Sequence, residues 1–335
     1  MSARAAVAAC LLSGCLAAAV PGQEDEPEAP GVPTLVCDRA YLPAAVALIG
    51  EGAPRVAQWE LFEGDSTASL EDALAANPDV RLLLDDELDT NVQAAARLAQ
   101  RGVDVGLHAD PEVRLHAKVL ASETRALVGS TNWSDSSIER NRECNISVAG
   151  GPIPAALRAW VDGLDEPDRG PRLPPGSDPL LVVDDELLPS LLSLADSADD
   201  RLDVTLYATF LQPDNPDAPA MRWFAALGDA VERGVTVRVL ADWSDWDEAN
   251  TKRNGLAVDW LRARGVTVRW DRPDVTLHAK VAVSESGAQV QTANPSTSGF
   301  ERNREAGIYT TDDAVLDALY AWYEARWFEG REEGW

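Results

Sequence analysis

Histidine and lysine are nearly missing from this chain. Among 335 residues there are three histidines, His108, His116 and His278, and three lysines, Lys118, Lys252 and Lys280; arginine carries the rest of the positive charge. Positive charge is itself scarce, with 29 Lys and Arg against 56 Asp and Glu and a formal net charge of −27. A surface of that sign excludes broad, sequence-independent adhesion to nucleic acid, which needs basic groups to displace counterions from phosphates. It leaves room for a small basic pocket, and otherwise serves solvation. After the N-terminal segment no stretch approaches the roughly 20 apolar residues of a membrane-spanning helix. The cysteines show no metal-ligand spacing, and no metal or cofactor is expected. What is present, 45% hydrophobic and 25% charged residues, is the composition of a globular protein large enough for one large core or two ordinary ones.

The first residues, MSARAAVAACLLSGCLAAAV, hold one early arginine and a short apolar run, followed by the acidic, proline-rich GQEDEPEAPGVP. This reads as an export signal over residues 1–15 and a linker over 16–33. Leu12-Ser13-Gly14-Cys15 resembles the bacterial lipobox, which makes Cys15 a lipidation site and the expected protein a lipoprotein facing the periplasm or cell exterior. In an oxidising compartment Cys37 and Cys144 are open to two states, a disulfide or two buried thiols.

The middle of the chain repeats itself. LHAKVLASETRALVGSTNWSDSSIERNRE starts at Leu115 and LHAKVAVSESGAQVQTANPSTSGFERNRE at Leu277, and the offset 278 − 116 = 162 holds without a gap from Leu115/Leu277 to Glu143/Glu305. Upstream, TLVCDRAYLPAAVALI aligns with LLVVDDELLPSLLSLA at 184 − 38 = 146, pairing Asp38 with Asp184 and Pro43 with Pro189. A period of that size means two related halves and not a solenoid. In the second half RLDVTLYATFL reads as a buried strand, AMRWFAALGDAVERG as an amphipathic helix ending at Gly234, and VTVRVLAD as a strand. RVAQWELFEG, TASLEDALAANP and VRLLLDD are the counterparts in the first. The expected fold class is α/β, with a largely parallel or mixed sheet in each half. The halves span 34–165 and 179–335, joined by a Pro- and Gly-rich connector over 166–178.

Within each repeat, His and Lys two apart on a strand point to one face. Each pair is followed by Asn (132 − 116 = 16) and Glu (143 − 116 = 27) at matching spacing in both copies. Packed about a pseudo-twofold axis, the halves bring together two imidazoles, two ammonium groups and two carboxamides. That set suits the oxygens of a phosphodiester.

These residues resemble the phospholipase D superfamily, whose signature is H-x-K-x4-D followed by G-S/G-x-N and a downstream N-x-E. The first copy matches with His116, Lys118, Gly129-Ser130, Asn132 and Asn141-Arg142-Glu143, and the second with His278, Lys280, Thr292, Asn294 and Asn303-Arg304-Glu305. The resemblance implies α/β/α sandwich halves with the active site at their interface, and a two-step displacement. His116 would be the nucleophile that forms a phosphohistidine and His278 the acid. Lys118, Lys280, Asn132 and Asn294 would hold phosphate oxygens, and Glu143 and Glu305 would each orient an imidazole. Ser130 and Thr292 would add hydroxyl contacts to the substrate. Two features depart from the pattern. The motif aspartate is glutamate in both copies, Glu123 and Glu285, assigned a supporting role; and Gln291-Thr292 replaces Gly-Ser. The implied partner is a phospholipid or other phosphodiester at a membrane surface, nucleic acid being disfavoured, with monomer as the default. Alternatives are a cardiolipin-synthase-like phosphatidyltransferase, a nuclease of the same type, and a non-catalytic phosphoester-binding lipoprotein. His108, without a partner in the other half, is expected at the surface, and the aromatics of ALYAWYEARWFEG in the core.

Overall fold

The computed structural model describes residues 30–164, 173 and 176–334. The signal and Cys15, most of the linker and most of the connector lie outside these residues. The first half runs β1 (Val32–Cys37), α1 (Tyr41–Ile49), β2 (Arg55–Gln58), α2 (Asp65–Ala76), β3 (Arg81–Asp85), α3 (Asp89–Gln100), β4 (Asp104–His108), β5 (Lys118–Ala121), β6 (Arg125–Gly129), α4 (Asp135–Glu139), β7 (Cys144–Ala149) and α5 (Ile153–Asp162). The second runs β8 (Leu180–Val183), α6 (Leu187–Ser197), β9 (Arg201–Leu206), α7 (Pro219–Glu232), β10 (Thr236–Ala241), α8 (Glu248–Arg262), β11 (Thr267–Trp270), β12 (Val281–Ser284), β13 (Gly287–Gln291), β14 (Ala306–Thr310) and α9 (Asp313–Glu329). The strands and helices expected around β2, α2, β3, β9, α7 and β10 form where the hydrophobic patterning puts them.

Each half is a seven-stranded mixed sheet, and the two strand orders correspond: β1-β7-β6-β5-β2-β3-β4 and β8-β14-β13-β12-β9-β10-β11. In each, three strands are parallel (β2, β3, β4; β9, β10, β11) and the rest antiparallel. Within the parallel part of the first sheet β3 is a continuous apolar run, Leu82-Leu83-Leu84, buried on both faces. The largest core is shared. It joins Val119, Val128, Ile146 and Trp160 of the first half to Val281, Val290, Ile308, Trp322 and Tyr323 of the second. Each such side chain taken fully out of water contributes roughly 1.5–3 kcal/mol, so this shared core binds the two halves together.

The duplication extends into the supports. Asp38 and Asp184 both adopt the left-handed backbone (φ 53° and 51°) directly after β1 and β8. Asp38 accepts from the backbone N–H of Glu143 at 3.0 Å, and Asp184 from that of Glu305 at 3.1 Å. Their second oxygens cross to the opposite half, Asp38 to the Trp322 indole at 3.0 Å and Asp184 to the Trp160 indole at 3.5 Å. The α9 aromatics Trp322, Tyr323 and Trp327 are thus core residues, as expected, while Phe328 is exposed. His108 is not at the surface. It ends β4, is buried, and holds the Val113 carbonyl at 3.0 Å through Nε2, shaping the loop that enters the first His-x-Lys strand. Cys37 and Cys144 face each other across the β1–β7 pair and form a disulfide.

Candidate active site

Each His-x-Lys motif lies at the entry to a strand and not within one, His116 just ahead of β5 and His278 just ahead of β12, and the residue before each histidine is anchored by a carboxylate. The Asp85 carboxylate, at the end of β3, accepts from Leu115 N–H at 2.6 Å, and Asp242, following β10, accepts from Leu277 N–H at 2.7 Å. Burial pushes the Asp242 carboxyl up to about 7. Asn91 and Asn254 repeat a second support: their amides donate to the Trp59 and Tyr207 carbonyls at 2.8 and 2.7 Å. None of these four residues belongs to the motif, and a sequence signal existed only for the aspartates, each of which closes an apolar strand.

The motifs then cross between halves. His116 N–H donates to the Arg304 carbonyl at 3.1 Å, and His278 N–H to the Arg142 carbonyl at 2.9 Å. Each imidazole is consequently oriented by the carboxylate of the other half. His116 Nδ1 lies 2.8 Å from Glu305 Oε1, and His278 Nδ1 lies 2.9 Å from both Glu143 oxygens. This leaves Nε2 of each ring as its reactive nitrogen. Aromatic rings at matching register flank them, Trp59 at 5.3 Å from His116 and Tyr207 at 4.4 Å from His278.

His116, His278, Asn132 and Asn294 line one cavity of about 690 Å³ together with Trp59, Glu60, Tyr207 and Trp246. Lys118 and Lys280 stand behind it, buried; Lys118 Nζ donates to the His116 carbonyl, and Lys280 Nζ donates to the His278 carbonyl at 2.5 Å. The expected eight residues therefore converge. Ser130 and Thr292 do not reach the cavity wall. Both are fully buried and donate at 2.5 Å to Glu143 Oε2 and Glu305 Oε2, so they fix the carboxylates instead of touching substrate. The Gly-Ser to Gln-Thr difference is compensated. A Cβ on Gly129 would sit 2.4 Å from the backbone of Asn145, its partner across β6–β7, whereas Gln291 pairs with Gly307. The glycine has moved to the opposite strand. Glu123 and Glu285 lie in turns at the far end of the sheets. Glu285 accepts from the N–H groups of Asp199 and Arg201 at 2.6 and 3.1 Å, and Glu123 reaches Arg158 at 3.8 Å, so their support is to turns and surface and not to the site.

Burial sets the charges. It lowers both imidazoles to about 4, against the opposing pull of Glu305 on His116 and of Glu143 on His278, with the lysines adding to the depression. It also lowers Lys118 to about 8 and Lys280 to about 7. Burial alone would raise Glu143 and Glu305, but the adjacent imidazole, lysine and hydroxyl hold both below the usual carboxylate range. Near neutral pH these shifts give two carboxylates and two neutral imidazoles, with lysines close to their titration range. Glu60 was not singled out by the sequence. Burial raises its carboxyl while Lys118 pulls the other way, and the register puts Ala208 at the matching place in the second half.

A duplicated two-histidine, two-lysine centre at the seam of two mixed α/β sheets defines a protein of the phospholipase D superfamily. Over residues 56–164 and 191–327, more than half of the chain, the sequence matches the family described as "Cardiolipin synthase, PLD-like domain", and the protein belongs to it. Among solved structures it is similar to phosphatidylserine synthase of Haemophilus influenzae Rd KW20 (TM-score 0.64, 13% identity, 90% of this chain and 88% of that one). It is also similar to polyphosphate kinase of Porphyromonas gingivalis (TM-score 0.61, 15% identity), covering 88% of this chain but only 47% of that one. A third is the phospholipase D family member Nuc of Salmonella typhimurium (TM-score 0.39, 21% identity, 47% of this chain and all of that one). At these identities the likeness is one of fold. No curated protein sequence matches.

Proposed function

We propose that this chain is a phosphodiesterase that hydrolyses or transfers a phosphatidyl group through a phosphohistidine. The observation that carries the reading is the crossed pair of His–Glu bonds beside two lysines and two carboxamides at one cavity. In the first step His116 Nε2 attacks phosphorus, the bond to the leaving oxygen breaks, and His278 gives that oxygen its proton. In the second, water or an alcohol gives its proton back to His278 and attacks phosphorus as the P–N bond breaks. One imidazole must therefore gain a proton that burial disfavours at neutral pH. The anionic diester supplies the field for this, since a negative charge in a buried site stabilises imidazolium and ammonium together. Lys118, Lys280, Asn132 and Asn294 hold the non-bridging oxygens as their charge grows.

Two features support lipid over polynucleotide: a net charge of −27, and the aromatics Trp59, Tyr207 and Trp246 at the cavity. Cys15, once acylated, would tether the chain outside the cytoplasm. The test is incubation with mixed phospholipids, with chelator and an alcohol acceptor, and separately with DNA. Phosphatidic acid or a phosphatidyl-alcohol is expected from the parent chain and not from His116→Ala. Cleavage of DNA with lipids untouched overturns the lipid reading, and silence on both overturns the enzyme.

A further inference from the structure

The large apolar side chains left in water are not scattered. Those exposed among the described residues are Val32, Phe62, Val92, Phe210, Trp246, Leu256 and Phe328. Five of them lie on segments that leave the carboxyl ends of the parallel strands, the end at which the cavity opens. Phe62 follows β2 and Phe210 follows β9, at matching positions three residues beyond the ring-flanking Trp59 and Tyr207. Val92 opens α3 next to Asn91, which supports Trp59; Leu256 is on the exposed face of α8, one turn beyond Lys252 and three residues from Arg253. Trp246 is 60% exposed and lines the cavity itself.

Cations share this face. Arg140 lines the cavity, Arg302 lines the clefts beside it, and the Arg253 guanidinium lies 5.1 Å over the Phe210 ring, with Lys252 adjacent on α8. All four lack an ion-pair partner among the described residues. Lys252 is also the lone lysine outside the two motifs. Exposed Asp214, Asp217, Asp245 and Glu248 on the same segments, with Asp86, Glu87, Asp110 and Glu112 beside Arg302, oppose a long polyanion and favour a zwitterionic layer over an anionic one. Apolar side chains interleaved with isolated cations match a layer of acyl chains topped by separate phosphates.

We propose that this face docks on a phospholipid bilayer, Phe62, Val92, Phe210, Trp246 and Leu256 entering the interface and the four cations meeting lipid phosphates, so that a head group passes from the membrane into the cavity without crossing water. The proposal rests on the phosphatidyl reading for its purpose but is tested apart from it. In the full chain carrying Cys10→Ser and Cys15→Ser, an environment-sensitive fluorophore is attached at Leu256→Cys, at Phe62→Cys, or at Glu123→Cys in the far turn. Phosphatidylcholine vesicles are then added. Blue-shifted, brighter emission at 256 and 62 with no change at 123 is expected. An equal response at 123, or none at 256 and 62, overturns docking by this face, as does a response to single-stranded oligonucleotide in place of vesicles. The readout needs no turnover. A short-chain phosphatidyl substrate kept below micelle formation tests the chemistry separately, and turnover there without the fluorescence response sinks docking alone.

Discussion

Exchanging Glu143 for Gln tests the crossing of the halves and the division of labour at once. Glu143 belongs to the first repeat but holds His278 of the second, at 2.9 Å and with no exposure to solvent. Glutamine keeps the shape and removes the charge. A hydrogen bond to a buried charged group contributes about 1.5–3 kcal/mol, so if His278 works as the imidazolium the loss is roughly 10- to 100-fold in rate. A general acid matters in proportion to how poor the leaving group is. Glu143→Gln should therefore lower kcat/KM by that factor on a diester with an alkyl leaving group and approach the parent on a nitrophenyl diester. Glu305→Gln, acting on the nucleophile His116 through the 2.8 Å bond, should be slow on both. The assay is steady-state release of each alcohol by the two variants. If Glu305→Gln proves the leaving-group-sensitive variant, the two histidines exchange roles. Equal, leaving-group-blind losses would refute the argument from crossed partners.

Oxyanion binding should depend on pH. Lys280 and Lys118, lowered to about 7 and about 8, must be charged to hold a phosphate analogue, so vanadate should raise Tm more at pH 6 than at pH 9. A larger gain at pH 9 would contradict the assignment. For the empty protein, the histidines are depressed from 6.5 to about 4, so their stabilising contribution is complete above 6.5 and is lost as pH falls through about 4; acid melting curves should show it. Reducing the Cys37–Cys144 bond, which closes a loop of 107 residues, should cost about 2–5 kcal/mol in a denaturant titration with and without dithiothreitol. Asp38→Gly keeps the left-handed backbone and loses only the carboxylate, so Asp38→Ala should be about 1 kcal/mol less stable than Asp38→Gly; equal stability would remove strain from the account.

The eight-residue centre was legible because its members recur at one offset, and recurrence of scarce residues such as His and Lys is hard to obtain otherwise. What stayed hidden were relations that a linear pattern does not encode. The chain shows that Glu143 follows His116 but not that it serves His278, because that depends on how two folded halves face each other. The bond from Ser130 to Glu143 is hidden for the same reason: a hydroxyl in a motif shows its type and not the direction in which it points. Asp38 and Asp184 were visible as an aligned pair, yet only their φ values and bonds disclose the work they do. Gly129 and Gly307 illustrate a further limit, since compensation across a sheet moves a residue to a strand far away in sequence. The burial of His108 is hidden too, because a lone polar residue offers no pattern from which burial can be read.

The crossed His–Glu bonds also bear on inheritance. Duplicated genes ordinarily drift by letting one copy decay while the other carries the trade. Here neither repeat holds a whole imidazole station, so a lesion in either acidic residue disables the histidine of its sibling. The two copies are hostages to each other, and a half-chain set free would need a second half, its sibling or its own twin, to supply the missing carboxylate.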